Sequence, residues 1–202
     1  MLEFDASETI ETPSVRINGI ESTVSFGSDT DWMATYSVPD YRAQVSTIAG
    51  SVGNKGSLNG TGTEANFDNP YFITSDGSNL YVADHNNHTI RKIVISSGVV
   101  TTLAGTSGVS GSNDGIGSAA KFNKPTGITT DGINLYVSEW NNHTIRKINI
   151  SSGLVTTFAG TVGVSGTSNG TGTEAKFKNP LGLTTDGMNL FVADYGLSLI
   201  HI

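Results

Sequence analysis

The sequence predicts an all-β chain made of repeats, and three observations carry that reading. The first is a fixed period. NLYVADHNNHTIRKIVI, from Asn79 to Ile95, recurs as NLYVSEWNNHTIRKINI from Asn134 to Ile150 and begins again as NLFVADY from Asn189 to Tyr195, each start 55 residues after the last. The second is the recurring flanks: an FxxP element (Phe67 to Pro70, Phe122 to Pro125, Phe177 to Pro180), an Asp-Gly turn and a VTT(L/F)AG ending. The third is composition. Strand formers, Thr, Ser, Asn and 25 glycines dominate, and no long stretch has helical periodicity. A period of this length marks a repeat architecture, and that composition marks strands joined by turns.

Taken in order, residues 1–38 read as a separate β segment. In SVRINGIESTVSF, Asn18-Gly19 sits between alternating apolar positions, Val15 and Ile17 before it and Ile20, Val24 and Phe26 after. Asn-Gly accepts the positive φ angles of a type I′ turn, so a hairpin is predicted. DWMATYSV then alternates Trp32, Ala34, Tyr36 and Val38 against Met33, Thr35 and Ser37, which predicts a half-buried strand. Pro39 and Asp40 punctuate a linker over residues 39–44. Val45 to Gly50 (VSTIAG) matches the VTT(L/F)AG ending and is read as the closing strand of a unit whose earlier strands are absent.

Each full unit reads as four short strands. In the second they are Gly127 to Thr130, Leu135 to Glu139, Thr144 to Ile150 and Leu154 to Ala159, with turns at Asp131-Gly132 and Ser151-Ser152-Gly153. Leu135, Tyr136 and Val137 are apolar on both faces, as suits a strand between neighbouring sheets. The third strand carries Arg146, Lys147 and Asn149 and is expected to lie further out. Four antiparallel strands per unit, graded from buried to exposed, make the blade of a β-propeller. The expected fold is an incomplete β-propeller of four-stranded blades over residues 45–195. Two complete blades plus fragments fall short of the roughly four to eight that close a ring. Exposed strand edges then invite edge association or oligomerisation if the chain is expressed as it stands.

The repeated pattern P-x-G-[IL]-x-x-D-x-x-N-L-[YF]-V-[AS]-[DE]-x-x-N-H-x-I-R-K-I…G-x-V-[TS]-T-[LF]-A-G resembles the NHL repeat. The inserted G-x-G-[TS]-x-A-x-F-x-x-P loop is similar to a long-loop bacterial form of it. The resemblance implies a six-bladed or similar propeller that serves as a non-catalytic binding or interaction platform for a protein or glycan ligand. Some relatives are enzymes, so the alternative is a metal-dependent lyase or lactonase-like propeller whose site lies in missing blades. Residues 1–38 resemble the later strands of bacterial Ig-like modules found on surface and secreted proteins. Together these imply an extracellular or cell-surface bacterial protein. Leu197 to Ile202 (LSLIHI) resembles the translation of a sequencing adapter, so residues 196–202 are expected to be non-native.

Charge and composition exclude other classes. The net charge of -7 sits almost wholly before residue 45, where eight acidic and two basic side chains fall. The repeats are nearly neutral and lack the basic stripe that nucleic-acid binding requires. There is no cysteine, hence no disulfide or thiolate ligand. No stretch approaches the roughly 18 apolar residues of a membrane helix. No metal site and no cofactor are expected.

Repeat logic separates building residues from site residues. Asp84, Glu139 and Asp194 recur, as do Asn87 and Asn142, His88 and His143, and Arg91 and Arg146. They are expected to brace the turn after the second strand: the carboxylate accepts, Asn turns the chain, His and Arg donate. His85, Trp140 and Tyr195 differ at one shared slot just after the carboxylate. They are the candidate contacts for a ligand or partner, because Trp and Tyr give large contact area at small entropic cost; the competing role is packing between blades. No catalytic residue is assigned, since no motif such as G-x-S-x-G occurs. Asn113-Asp114-Gly115 invites a calcium reading, but the other loops carry Asn-Gly there, and a turn is expected instead. The Asn-x-Thr triplets at Asn59, Asn87, Asn142 and Asn169 are read as by-products of Asn-rich turns.

Overall fold

A computed structural model describes residues 14–17, 20–23 and 45–202. They fall in two units, Met1–Val45 and Ser46–Ile202. In the first, strands β1 (Ser14–Ile17) and β2 (Ile20–Thr23) pair antiparallel with Ile17 opposite Ile20. The turn expected at Asn18-Gly19 lies outside the described residues. The strand expected over Trp32 to Val38, the Ig-like resemblance and the linker lie outside the described residues.

In the second unit the 55-residue period becomes three sheets. The first blade is β4 (Pro70–Ser75), β5 (Asn79–Asp84), β6 (Thr89–Val94) and β7 (Val99–Gly105), with the two-residue β3 (Gly60–Thr61) added outside β7. The second repeats it as β9 (Pro125–Thr130), β10 (Asn134–Glu139), β11 (Thr144–Asn149) and β12 (Leu154–Ala159), with β8 (Gly115–Ile116) outside β12. The third has β13 (Pro180–Thr185), β14 (Leu190–Asp194) and β15 (Leu199–His201). Within these blades neighbouring strands pair antiparallel. The chain is thus all-β, with blade-like sheets in sequence order.

Turn chemistry sets the strand ends. Asp131 Oδ1 accepts the backbone N–H groups of Ile133 and Asn134, at 2.8 and 2.6 Å, while Gly132 takes φ +88°. The same Asp-Gly device works at Asp186-Gly187. Before each FxxP proline the residue is left-handed: Asn69, Lys124 and Asn179 have φ of 57°, 57° and 54°.

The core lies between blades rather than within one. Tyr81, Ala83, Ile90 and Ala104 of the first blade pack with Phe122, Ile128, Leu135 and Val137 of the second. Ile145 of the second packs with Phe177 and Val192 of the third. Ala49, Phe67, Val82 and Val100 form a smaller cluster at the start.

Two expectations need correction. The third strand is not an outer, exposed one: β6 and β11 are among the most buried, and Arg91 and Arg146 are fully buried. The arginines fold under the inter-blade loops instead of reaching water. Val45 to Gly50 is not a strand and joins no ladder among the described residues, although Gly50 N–H donates to Gly62 O at 3.0 Å.

Candidate functional site

The turn joining the second and third strands of each blade carries both sets of residues singled out by the sequence. The recurring set forms a buried knot. In the first blade Asp84 ends β5 and accepts from the Asp68 N–H (2.9 Å), Asn87 Nδ2 (2.8 Å) and Arg91 Nη1 (3.0 Å). Arg91 also donates to the carbonyls of Asn66 and Leu58 and to Asn59 Oδ1, each at 2.9 Å. Its guanidinium lies over the Phe67 ring, 5.0 Å from the centroid.

The second blade repeats this. Glu139 accepts from the Asn123 N–H, Asn142 Nδ2 and Thr144 Oγ1 at 2.8 Å and from Arg146 Nη1 at 3.1 Å. Arg146 lies 5.4 Å over Phe122 and also donates to Asp114 Oδ1 at 2.7 Å. Burial pushes the Glu139 and Asp84 carboxyls above their ordinary range, while the arginines and N–H donors pull them back. In the third blade Asp194 accepts from the Lys178 N–H at 2.9 Å, and His201 Nε2 lies 3.1 Å from Asp194 Oδ2. His201 holds the arginine's register position, opposite Val192 as Arg146 is opposite Val137.

The histidines act differently from the expectation. His88 and His143 sit in left-handed turns, with φ of 57° and 58°. Their Nδ1 atoms accept rather than donate, from the backbone N–H of Lys124 and Asn179 in the next blade, both at 3.1 Å. Burial holds both rings below the ordinary histidine pKa, with Lys124 adding to it at His88. Asn87 and Asn142 are buried and their amide groups are bonded to Gly56 O and Gly111 O.

The variable slot faces outward beside these knots. Trp140 is half-buried and Tyr195 is 65% exposed, with ring centroids 5.4 Å apart. His85 is not drawn into that pair: its ring stacks on Tyr71 at 4.7 Å, and its Nδ1 lies 3.0 Å from Pro125 O. Burial holds His85 below the ordinary pKa, so at neutral pH the ring is uncharged and Nδ1–H donates to that carbonyl. Among the described residues, no three His, Asp or Glu side chains converge to hold a metal ion.

Sequence reasoning missed Asn59 and Asp114 as partners of the arginines. Both occupy one repeat position, 32 residues before their arginine, which was the available signal. It also missed Tyr71, which has no aromatic counterpart at Thr126 or Leu181.

No family model matches the chain. Over 159 residues, 67% of this chain, it is 32% identical to NHL repeat-containing protein 2 of Homo sapiens, spanning 22% of that protein's length. Among solved structures it is similar to a protein of unknown function from Bacteroides thetaiotaomicron, at 29% identity and TM-score 0.60, covering 65% of this chain and 34% of that one. It is also similar to an auxiliary nutrient binding protein from the same organism, at 25% identity and TM-score 0.56, covering 63% of this chain and 35% of that one. Repeat period, blade topology and these likenesses agree: residues 45–195 are a segment of an NHL-repeat β-propeller.

Proposed function

We propose that this segment is a non-catalytic binding platform and that the slot holding His85, Trp140 and Tyr195 contacts the ligand. The carrying observation is the paired rings of Trp140 and Tyr195, 5.4 Å apart on adjacent blades, with Tyr195 largely open to solvent. Two aromatic faces side by side present apolar area with a hydroxyl and an indole N–H at its edge, which suits a protein side chain or a sugar ring. His85 is tied to the next blade and serves as the rim of the arc, while the recurring Asp84, Asn87, His88, Arg91, Glu139, Asn142, His143, Arg146 and Asp194 hold the turns that present it. A solved structure similar to this chain is named as a nutrient binding protein, which supports a binding role; an extracellular or cell-surface setting in bacteria is part of the same proposal.

The test uses the fact that the chain has two tryptophans. A Trp32→Phe variant leaves Trp140 as the sole indole, and its emission is followed against a panel of neutral oligosaccharides and short peptides. A saturable change that Tyr195→Ala weakens at least tenfold supports the reading. No response across the panel, or one that Trp140→Ala and Tyr195→Ala leave unaltered by calorimetry, overturns it.

A further inference from the structure

A second pair of positions varies on the framework that carries the aromatic slot. Between the phenylalanine and the proline of each FxxP element lie Asp68-Asn69, Asn123-Lys124 and Lys178-Asn179. Recurring residues fix their backbone. The first N–H donates to the buried carboxylate, at 2.9 Å to Asp84, 2.8 Å to Glu139 and 2.9 Å to Asp194. The N–H of Lys124 and that of Asn179 each donate to the histidine of the preceding blade at 3.1 Å. On this constant frame the first side chain runs from Asp through Asn to Lys.

Two of the three copies spend their charge locally. Asp68 faces Lys55 at 3.8 Å, and the Lys124 ammonium donates to Asn86 Oδ1 at 2.6 Å. Lys178 does neither. It is exposed, and among the described residues its ammonium has no ion pair and no hydrogen bond; only its backbone N–H is engaged.

This lysine stands beside the aromatic pair. Its neighbour Asn179 donates through Nδ2 to Trp140 O at 2.9 Å, and Asp194, which takes the Lys178 N–H, immediately precedes Tyr195. His143, on the same turn as Trp140, accepts the Asn179 N–H through Nδ1, so its neutral ring carries its hydrogen on Nε2. Burial, and then the nearby Lys178 ammonium, keep that ring uncharged against the pull of Asp194. The carboxylates on these turns, Glu139 and Asp194, are buried in their knots. The rings of Trp140 and Tyr195 are thus flanked by a cation and an N–H donor, with no exposed carboxylate on the same turns.

We propose, on the strength of the platform reading above, that the ligand of this pair is an acidic sugar. Its C–H face lies on Trp140 and Tyr195, and its one negative charge meets the Lys178 ammonium and His143 Nε2–H. The charges fit a monoanion, a carboxylate or a sulfate ester. A phosphate would call on clustered backbone N–H groups, and those of Lys178 and Asn179 are already committed. A sugar fits better than a peptide, because no acidic amino-acid side chain has a ring face. A uronic acid or a sulfated sugar carries ring and charge on one residue, so a single unit can stack and pair at once. Lysine binds as a point charge, which accepts either anion.

Calorimetry and Trp140 emission in the Trp32→Phe chain test this with trigalacturonate, its uncharged trigalactose counterpart, a sulfated galactose trisaccharide, and a short peptide of alternating glutamate and tyrosine. At low salt an acidic sugar should bind about tenfold tighter than the neutral one; which of the two acidic sugars leads identifies the anion. Lys178→Gln should close that gap and Lys178→Glu reverse it, whereas Lys147→Gln, which removes the same charge from β11, should leave it open. Lys178 is exposed, so the Tm of its variants should stay near the parent's. Equal affinity for charged and neutral sugars, each weakened by Tyr195→Ala, overturns the acidic-sugar assignment and leaves the platform standing. So does a gap that Lys178→Gln does not close, or a peptide that binds tighter than either acidic sugar. No binding of any probe overturns both readings.

Discussion

The first and second blades hold their arginines with carboxylates that differ by one methylene, Asp84 against Glu139, and the surroundings answer that difference. Glu139 reaches the hydroxyl of Thr144 at 2.8 Å. The corresponding Thr89 hydroxyl is buried and has no hydrogen-bond partner. The outer end of the arginine differs too: Arg146 meets a second carboxylate, Asp114, whose side chain is 51% exposed, where Arg91 meets the amide oxygen of Asn59. The backbone register is the same in both. Strands in the same register therefore tolerate different polar fillings, provided that the buried arginine keeps one buried carboxylate and its loop carbonyls.

The largest test of that comparison is to remove the shared element. Arg91→Ala and Arg146→Ala should each cost about 3–5 kcal/mol in urea unfolding, because each strands a buried carboxylate. A large loss in one blade alone would show that the two knots are not equivalent. The next test isolates the methylene. Thr144→Val should cost about 1.5–3 kcal/mol, the range for a lost bond to a charged group, whereas Thr89→Val should be neutral or stabilising, since its hydroxyl bonds to nothing. Equal costs would break the comparison.

A third test uses pH. His88 and His143 fold with pKa values below the ordinary 6.5, and each accepts a backbone N–H through Nδ1. The unfolded chain then takes up protons first, so stability is full above about pH 6.5 and falls as pH drops below it toward the folded pKa. A His88→Asn, His143→Asn double variant keeps an acceptor and tolerates the left-handed turn, and should flatten that decline. The smallest effect belongs to Asp114→Asn, which gives the second blade the first blade's chemistry. It should cost less than about 1 kcal/mol, and less again in high salt.

Much of this molecule was legible from its period. Strand β12 begins and ends where the repeat puts it, and the Asp131-Gly132 turn follows from the known preferences of those residues. Arg146 was not legible. A basic residue on a strand reads as solvent-facing, and its burial depends on the carbonyls of Lys121 and Asn113, which only the fold brings to it. The role of His143 was reversed for a similar reason, since its partner, the Asn179 N–H, belongs to the next blade. The variable slot was legible as a slot, but its division was not. Tyr71, absent from the other copies, draws His85 into a stack and leaves Trp140 and Tyr195 as the open pair.

The recurring residues hold the blades together, whereas the varying slot should be dispensable to them, as its proposed contact role requires. Urea unfolding of Trp140→Ala beside Arg146→Ala tests it directly. The expected midpoint is close to the parent's for Trp140→Ala, with a loss of about 3–5 kcal/mol for Arg146→Ala. A Trp140→Ala protein as unstable as Arg146→Ala would contradict it, and would make the aromatic pair part of the packing between blades.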